Sequence, residues 1–474
     1  MMDGRPRLRR GYLDWLRGLA VLVMIEAHTV DAWTRPADDR TLMYRWALVL
    51  GGFGAPLFLF LAGVAVPLSA GSKARRFGST RPAVTAVCRR GLEIFVLAFL
   101  FRLQSFLLSP GSPVLGLFKV DILNIMGPAI VIATLLWWLG RTPRGRLAVF
   151  AVATIGVAMV TPLVRGMTEV GLLPAFLQWY VRSIPGHTTF TLFPWAAFVF
   201  AGGLLGVLLD EAREADRERL TNFGALGAGV LLVAGGFWAS YRPSIYIRSE
   251  FWTTSPTFVC IRIGIMCLTL ALVYLHRGSA PDPGSVARGG PEAPRRYLHR
   301  GSAPDPGSVA RGGPEAPRRS LAGALRAPFQ RWQHRLRGVD EVMELMGRES
   351  LFVVHRGSAP DPGSVARGGP EAPRRSFAGV LRAPFQGWQH RLRGVDEGME
   401  LMGRESLFVY WIHVEMVYGL LTWPIHRRLP VAGTAAAYLL FSLLMYGAVV
   451  LKGRITARWE ASGARIGDGQ PLTA

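Results

Sequence analysis

The sequence predicts an all-α fold: a polytopic integral membrane bundle of about ten transmembrane helices. Three observations predict it. Half of the 474 residues are hydrophobic, only 18% are charged, and the mean hydropathy is +0.27. A soluble domain of this size carries roughly a quarter charged residues. The apolar residues also fall in runs long enough to cross a bilayer. Finally, the basic residues gather in alternate loops, which is the positive-inside pattern.

The apolar spans lie near 12–33, 45–70, 91–109, 120–140, 147–164, 192–210, 223–241, 257–275, 405–423 and 431–451. Residues 1–10 hold Arg5, Arg7, Arg9 and Arg10, and residues 71–90 hold Lys73, Arg75, Arg76, Arg81, Arg89 and Arg90. Arg141, Arg144 and Arg146 follow the fourth span, and the tail begins with Lys452 and Arg454. These loops share one side if the first span enters from the cytoplasm, and ten spans return the C-terminus there. Both termini are therefore expected in the cytoplasm. One opposite loop, 424–430, carries Arg427 and Arg428 and is an exception to the pattern.

The net charge of +22 thus reflects topology and excludes a nucleic-acid partner as its cause. Three cysteines make no disulfide framework. The basic N-terminus is followed by an apolar run carrying Asp14, Arg17, Glu26 and His28, without a small-residue cleavage site, so it is no cleavable signal peptide.

Four segments are expected: helices one to eight over 1–275, an insertion over 276–404, helices nine and ten over 405–452, and a cytoplasmic tail over 453–474. Within the insertion, HRGSAPDPGSVARGGPEAPRR occurs at 276–296, 299–319 and 355–375. Residues 320–354 and 376–410 differ at five positions, so 299–354 is a near copy of 355–410. Solenoid repeats diverge, whereas this one is nearly identical and rich in Gly, Pro and Arg. It reads as a recent tandem duplication whose repeat unit is too polar to bury a core and is expected to be disordered. A basic arm holding anionic lipid is the rival reading. Phe385, Trp388, Leu392, Val395 and Met399 recur at helical spacing and predict an interfacial helix leading into the ninth span.

Ionisable residues inside a membrane are costly and mark function. The first span holds Asp14, Arg17, Glu26, His28 and Asp31. Eleven residues at 100° each bring Arg17 and His28 to within roughly 20° of one face, roughly 16 Å apart along the axis. A guanidinium clamps phosphate and a neutral imidazole is a general base, which suits an extended carrier such as acyl-CoA threaded through the bundle. The bland alternative has Arg17 snorkelling to headgroups and His28 capping the helix end. Arg102, Asp121, Asn124, Arg262, His413 and Glu415 add polar groups to other spans and predict a polar cavity; an Arg102–Asp121 ion pair is the structural alternative. His187, in the outer loop RSIPGHTTF, either faces an acceptor or is a surface histidine. The sequence contains no Walker motif, zinc-ligand set, nucleophile elbow or dinucleotide fingerprint, and no metal is expected.

The segment RRGYLDWLRGLAVLVMIEAHTVDAW resembles the opening of the transmembrane acyltransferase superfamily, with its Arg, ten residues, then His as Arg17 and His28. FGAPLFLFLAGVAVPLS, VDILNIMG, FPWAAFVFAGGLLG and GRESLFVYWIHVEM extend the resemblance, and the chain looks closest to the bacterial branch of the heparan-alpha-glucosaminide N-acetyltransferase catalytic-domain family. The resemblance implies an acyltransferase that takes acetyl-CoA or another acyl-CoA from the cytoplasm and acylates a hydroxyl or amine of an envelope carbohydrate on the opposite face. It implies that His28 is catalytic and that Arg17 contacts the CoA phosphates; Arg102, mid-span in the third helix, is the other candidate for cofactor binding. Glu26, Asp31, Asp121, Asn124, His187, Arg262 and His413 would line the substrate cavity. In the lysosomal branch an asparagine stands at the position of His28 and a histidine of the outer loop is catalytic. Here the loop TRPADDRTLMYR has no histidine, so His28 does that work alone or the chemistry differs. Expected partners are membrane lipid and a carbohydrate or other small acceptor; a homo-oligomer is left open. The competing readings are a lipid or solute transporter and an inactive homologue.

Overall fold

The computed structural model describes residues 8–108, 113–247, 249–278, 280–281 and 393–467. The helices in chain order are α1 (Gly11–Trp33), α2 (Leu42–Gly51), α3 (Gly54–Phe77), α4 (Thr80–Leu108), α5 (Ile122–Leu139), α6 (Pro143–Gly166) and α7 (Ala175–Val181). They continue with α8 (Leu192–Glu211), α9 (Ala215–Ser240), α10 (Pro256–Arg277), α11 (Arg393–Arg404), α12 (Ser406–Tyr418) and α13 (Val431–Gly467). The only strand pairing among the described residues joins Leu8–Arg9 to Ala280–Pro281, and the protein is an all-α polytopic bundle.

Each expected span falls on a helix, and the exceptions to ideal spans have local causes. Among the described residues seven segments are long and apolar enough to cross a membrane: Leu42–Phe77, α5, α6, α8, α9, α10 and Val431–Trp459. The second expected span is broken at Gly52-Phe53 into α2 and α3. α1 and α4 exceed the charge content of an apolar span, with four and five Asp, Glu and Arg residues respectively. α12 has only 13 residues, because the chain extends at Gly419 and turns into a 3-10 helix at Leu420–Ile425. α13 carries on past 452 to Gly467, through much of the expected tail.

α1 tolerates its charges because it lies at the centre. Tyr12, Leu16, Ala20, Val21, Met24 and Ile25 are all completely buried, and α1 packs against α2, α3, α10, α11, α12 and α13. A buried helix need not present an apolar face to lipid. α3 and α8 form the tightest neighbouring pair; a Cβ at Gly63 or Gly202 would overlap the backbone of the opposite helix. Small residues at such crossings let helix backbones touch.

The same device seats α11 on α1. A Cβ at Gly18 would overlap the Met399 carbonyl, and one at Gly403 would overlap the Asp14 carbonyl. α11 belongs to the second of the two near-identical segments, and packs into the bundle. Of the expected interfacial helix, Phe385, Trp388 and Leu392 lie outside the described residues. Met399 is buried and Val395 is exposed. The repeat units beyond Pro281 also lie outside the described residues.

Polar groups lock this end of α1. Asp396, only 3% exposed, accepts from Trp15 Nε1 at 2.9 Å and Arg277 at 2.8 Å, and lies 3.2 Å from His276 Nε2. Arg277 also pairs with Glu400. Arg10 and Tyr12 both donate to the buried Glu218 at 2.8 Å. Truncating one member of a buried ionic cluster strands the others and costs about 3–5 kcal/mol. Asp396→Ala is therefore expected to lower the thermal midpoint in detergent by several degrees, whereas Glu397→Ala, at an exposed position of the same helix, leaves it unchanged within error.

Candidate active site

α1 carries His28 and Asp31 to the end of the bundle opposite this ionic lock, and α12 meets them there. His28 is 6% exposed, and its Nδ1 lies 3.1 Å from the Tyr418 hydroxyl. The Tyr418 hydroxyl in turn donates to Asp31 Oδ2 at 2.8 Å. A hydroxyl has one proton to give. Since Asp31 receives it, the Tyr418 oxygen accepts from His28 Nδ1–H, and Nε2 becomes the lone-pair nitrogen of a neutral imidazole. An acid that fixes a histidine tautomer from behind is the logic of a catalytic triad, here with a phenol interposed.

His413 stands beside it, with ring centroids 5.2 Å apart in an edge-to-face arrangement. His413 is completely buried, and its Nδ1 donates to the Val409 carbonyl at 2.8 Å, one helical turn back. Its Nε2 is then also a lone-pair nitrogen, and it is buried with no hydrogen-bond partner. Glu26 Oε2, Asn124 Nδ2, Arg102 Nε and Glu415 Oε1 are likewise buried and unpartnered. Such orphaned groups are rare and point to a guest or to function.

The other residues singled out by the sequence divide. Arg102 pairs with Asp121, the ion pair that the sequence allows, and Asp121 caps α5 in a reciprocal box with Asn124. Glu415, on α12 between His413 and Tyr418, lies within electrostatic reach of Arg102. This links the α4–α5 ion pair to the helix that carries the histidine's partners. Arg262 lies over the ring of Phe258 at 4.1 Å and of Trp195 at 5.6 Å. His187 stacks on Trp179 at 4.7 Å, and its carbonyl accepts from the Val120 amide, so it clamps a loop to the approach of α5 rather than meeting His28. Arg17 stays at the other end of α1, bonded to Asp14 at 2.8 Å.

Sequence reasoning missed Tyr418, whose aromatic ring in an apolar run carries no signal of its hydroxyl's role. It also missed the chain segment that holds this end together. The Arg427 amide donates to the Ala32 carbonyl, and the Arg428 and Leu429 amides to the Trp33 carbonyl, which satisfies the open carbonyls at the C-terminus of α1. Thr422 and His426 do the same for the last carbonyls of α12. A cavity of about 470 Å³ opens here, lined by Asp31, Ala32, Tyr418, Trp423, His426, Arg427 and Arg428. A second cavity, of about 720 Å³, lies among α6, α8, α9 and α10, and its lining is almost wholly apolar. No group of His, Cys, Asp and Glu among the described residues could hold a metal.

Asp38 ties the edge of this end to α13. It accepts from the Val431 amide at 2.9 Å and from Arg35 at 3.0 Å. The Val431 bond foremost, with Arg35 adding to it against partial desolvation, holds the Asp38 carboxyl below the usual carboxylate range. A lowered folded-state value stabilises above the unfolded value, near 3.9, and the contribution is lost as pH falls through the folded one. Wild type should therefore exceed Asp38→Asn in thermal midpoint at neutral pH, and the gap should close below about pH 4.

No curated protein matches the chain. The family model described as "Heparan-alpha-glucosaminide N-acetyltransferase, catalytic" matches residues 9–236. The matched region contains His28, Asp31, Arg102, Asp121 and Asn124, while Tyr418 and His413 come from the later helices. Residues 9–236, 228 of the chain's 474, thus resemble the heparan-alpha-glucosaminide N-acetyltransferase catalytic family.

Proposed function

We propose that the protein transfers an acetyl group from cytoplasmic acetyl-CoA to a hydroxyl or amine of an envelope carbohydrate across a bacterial inner membrane, with both termini in the cytoplasm. The observation that carries this reading is the Asp31–Tyr418–His28 chain at the bundle end opposite Arg17. The acceptor O–H or N–H attacks the thioester carbonyl, and His28 Nε2 takes the proton. The carbon–sulfur bond breaks, and the departing thiolate receives that proton. Tyr418 and Asp31 hold the imidazole in the reactive tautomer and stabilise the imidazolium formed in between. Acetyl-CoA supplies the activated acyl group. Glu26, Asn124, His413 and Glu415 are the groups available to its carrier arm. Arg17, near the N-terminal end of α1, is the candidate for its phosphates. Arg102, held by Asp121, supports the site rather than clamping phosphate.

A general base contributes about 10²–10⁴-fold. Transfer of labelled acetyl from acetyl-CoA to glucosamine, with purified protein in detergent, should fall by that order in His28→Ala. In Tyr418→Phe, which keeps the ring and removes the relay, the fall should be about 10–100-fold, set by lost orientation. Acetyl-CoA binding should weaken in Arg17→Ala and survive in His28→Ala. An undiminished rate in His28→Ala would overturn the assignment.

A further inference from the structure

Arg427 and Arg428 break the charge pattern of the loops, and topology does not account for them. Both line the cavity that Asp31 and Tyr418 also line. Neither guanidinium has an ion-pair partner among the described residues, whereas the acids around them are engaged. Asp31 accepts from Tyr418, and Asp38 accepts from Arg35 and Val431. Two guanidinium groups against one carboxylate leave the cavity net positive. Arg427 is also the only non-glycine residue with positive φ among the described residues, at 52°. Its conformation is imposed by the amides of 427–429 bonding to α1. Strained backbone of this kind gathers at ligand clamps. Trp423, 64% exposed at the cavity wall, offers an aromatic face.

We infer that this cavity recognises an anionic group, a phosphate or carboxylate, on the acceptor itself. The inference rests on the acetyl-transfer reading above and names the acceptor class for that site. Arginine forks bind such oxyanions in pairs of parallel hydrogen bonds. Asp31 and Ala32 line the cavity while His28 lies about one helical turn, ~5.4 Å, deeper along α1. The acceptor therefore carries its charge about that far from the hydroxyl or amine that is acetylated. Trp423 covers the face of the sugar between them. Because the arginine loop also caps α1, the element that reads the acceptor is the one that positions the helix bearing His28.

The test compares glucosamine with glucosamine 6-phosphate, in binding by tryptophan fluorescence and in acetyl transfer from acetyl-CoA, using the full chain in neutral detergent. The variants are Arg428→Gln, Arg428→Lys and Arg427→Asn, the last because asparagine tolerates positive φ. The expected result is a KM for the phosphosugar at least tenfold below that for glucosamine. Arg428→Gln and Arg427→Asn should abolish this preference and leave the glucosamine KM unchanged, and Arg428→Lys should restore part of it. Equal KM values for the two sugars in wild type, or equal losses for both in the variants, would overturn the inference while leaving acetyl transfer intact. Arg428-dependent binding of the phosphosugar without any transfer would uphold the anion site and sink the transferase reading. Liposomes of phosphatidylglycerol distinguish the source. If they compete with the phosphosugar in wild type and not in Arg428→Gln, the anion is supplied on a lipid-borne acceptor; if they do not compete, it is supplied on a soluble one.

Discussion

Burying α1 on every side dictates where its ionisable groups find partners. A charge or hydrogen-bonding group removed from water costs several kcal/mol unless it is matched. α1 brings Asp14, Arg17, Glu26, His28 and Asp31 into that environment. The rest of the architecture answers this demand at the two ends of the helix. At the N-terminal end Arg17 bonds Asp14 within α1, and α9 and α11 supply Glu218 and Asp396 to Arg10, Tyr12 and Trp15. At the C-terminal end α12 supplies Tyr418 and His413, and the following loop supplies backbone amides. The two ends differ in kind. The first is dominated by ion pairs and holds the fold, although Glu218 Oε2 and Arg277 Nε there also lack a hydrogen bond. The second retains orphaned polar atoms at Glu26, His413 and Glu415, and there the chemistry can occur.

This division also explains why the site joins distant parts of the chain. His28 lies in the family-matched region, and Tyr418 and His413 come nearly 400 residues later, after the near-identical repeats. The second copy of the repeated segment provides α11, whose Gly403 and Asp396 dock on α1 and set the start of α12. The seating of α11 therefore controls the register in which Tyr418 reaches His28.

The helices themselves were legible in the sequence because hydrocarbon thickness and backbone satisfaction leave few alternatives for a long apolar run. Arg17 and His28 were legible as one polar face because helical geometry fixes their spacing. Their partners were not. Tyr418 sits at a helix end where an aromatic residue is common, and only the break at Gly419 and the contact with α1 give its hydroxyl a task. Asp396 was not singled out by the sequence, and tertiary packing makes it a buried hub. Arg427 and Arg428 stood out only as an exception to the charge pattern, and the cavity turns that exception into a recognition element. The sequence left His187 between facing an acceptor and lying on the surface, while stacking on Trp179 gives it a structural role.

The central claim is that Asp31, Tyr418 and His28 act as one unit in which the first two fix the tautomer of the third. A double-mutant cycle on acetyl-transfer rate, combining Tyr418→Phe with His28→Ala, addresses it directly. Groups that act as a unit are strongly non-additive. The account predicts that Tyr418→Phe slows the wild-type enzyme and has no further effect once His28 is gone. Independent losses that multiply in the double variant would contradict it.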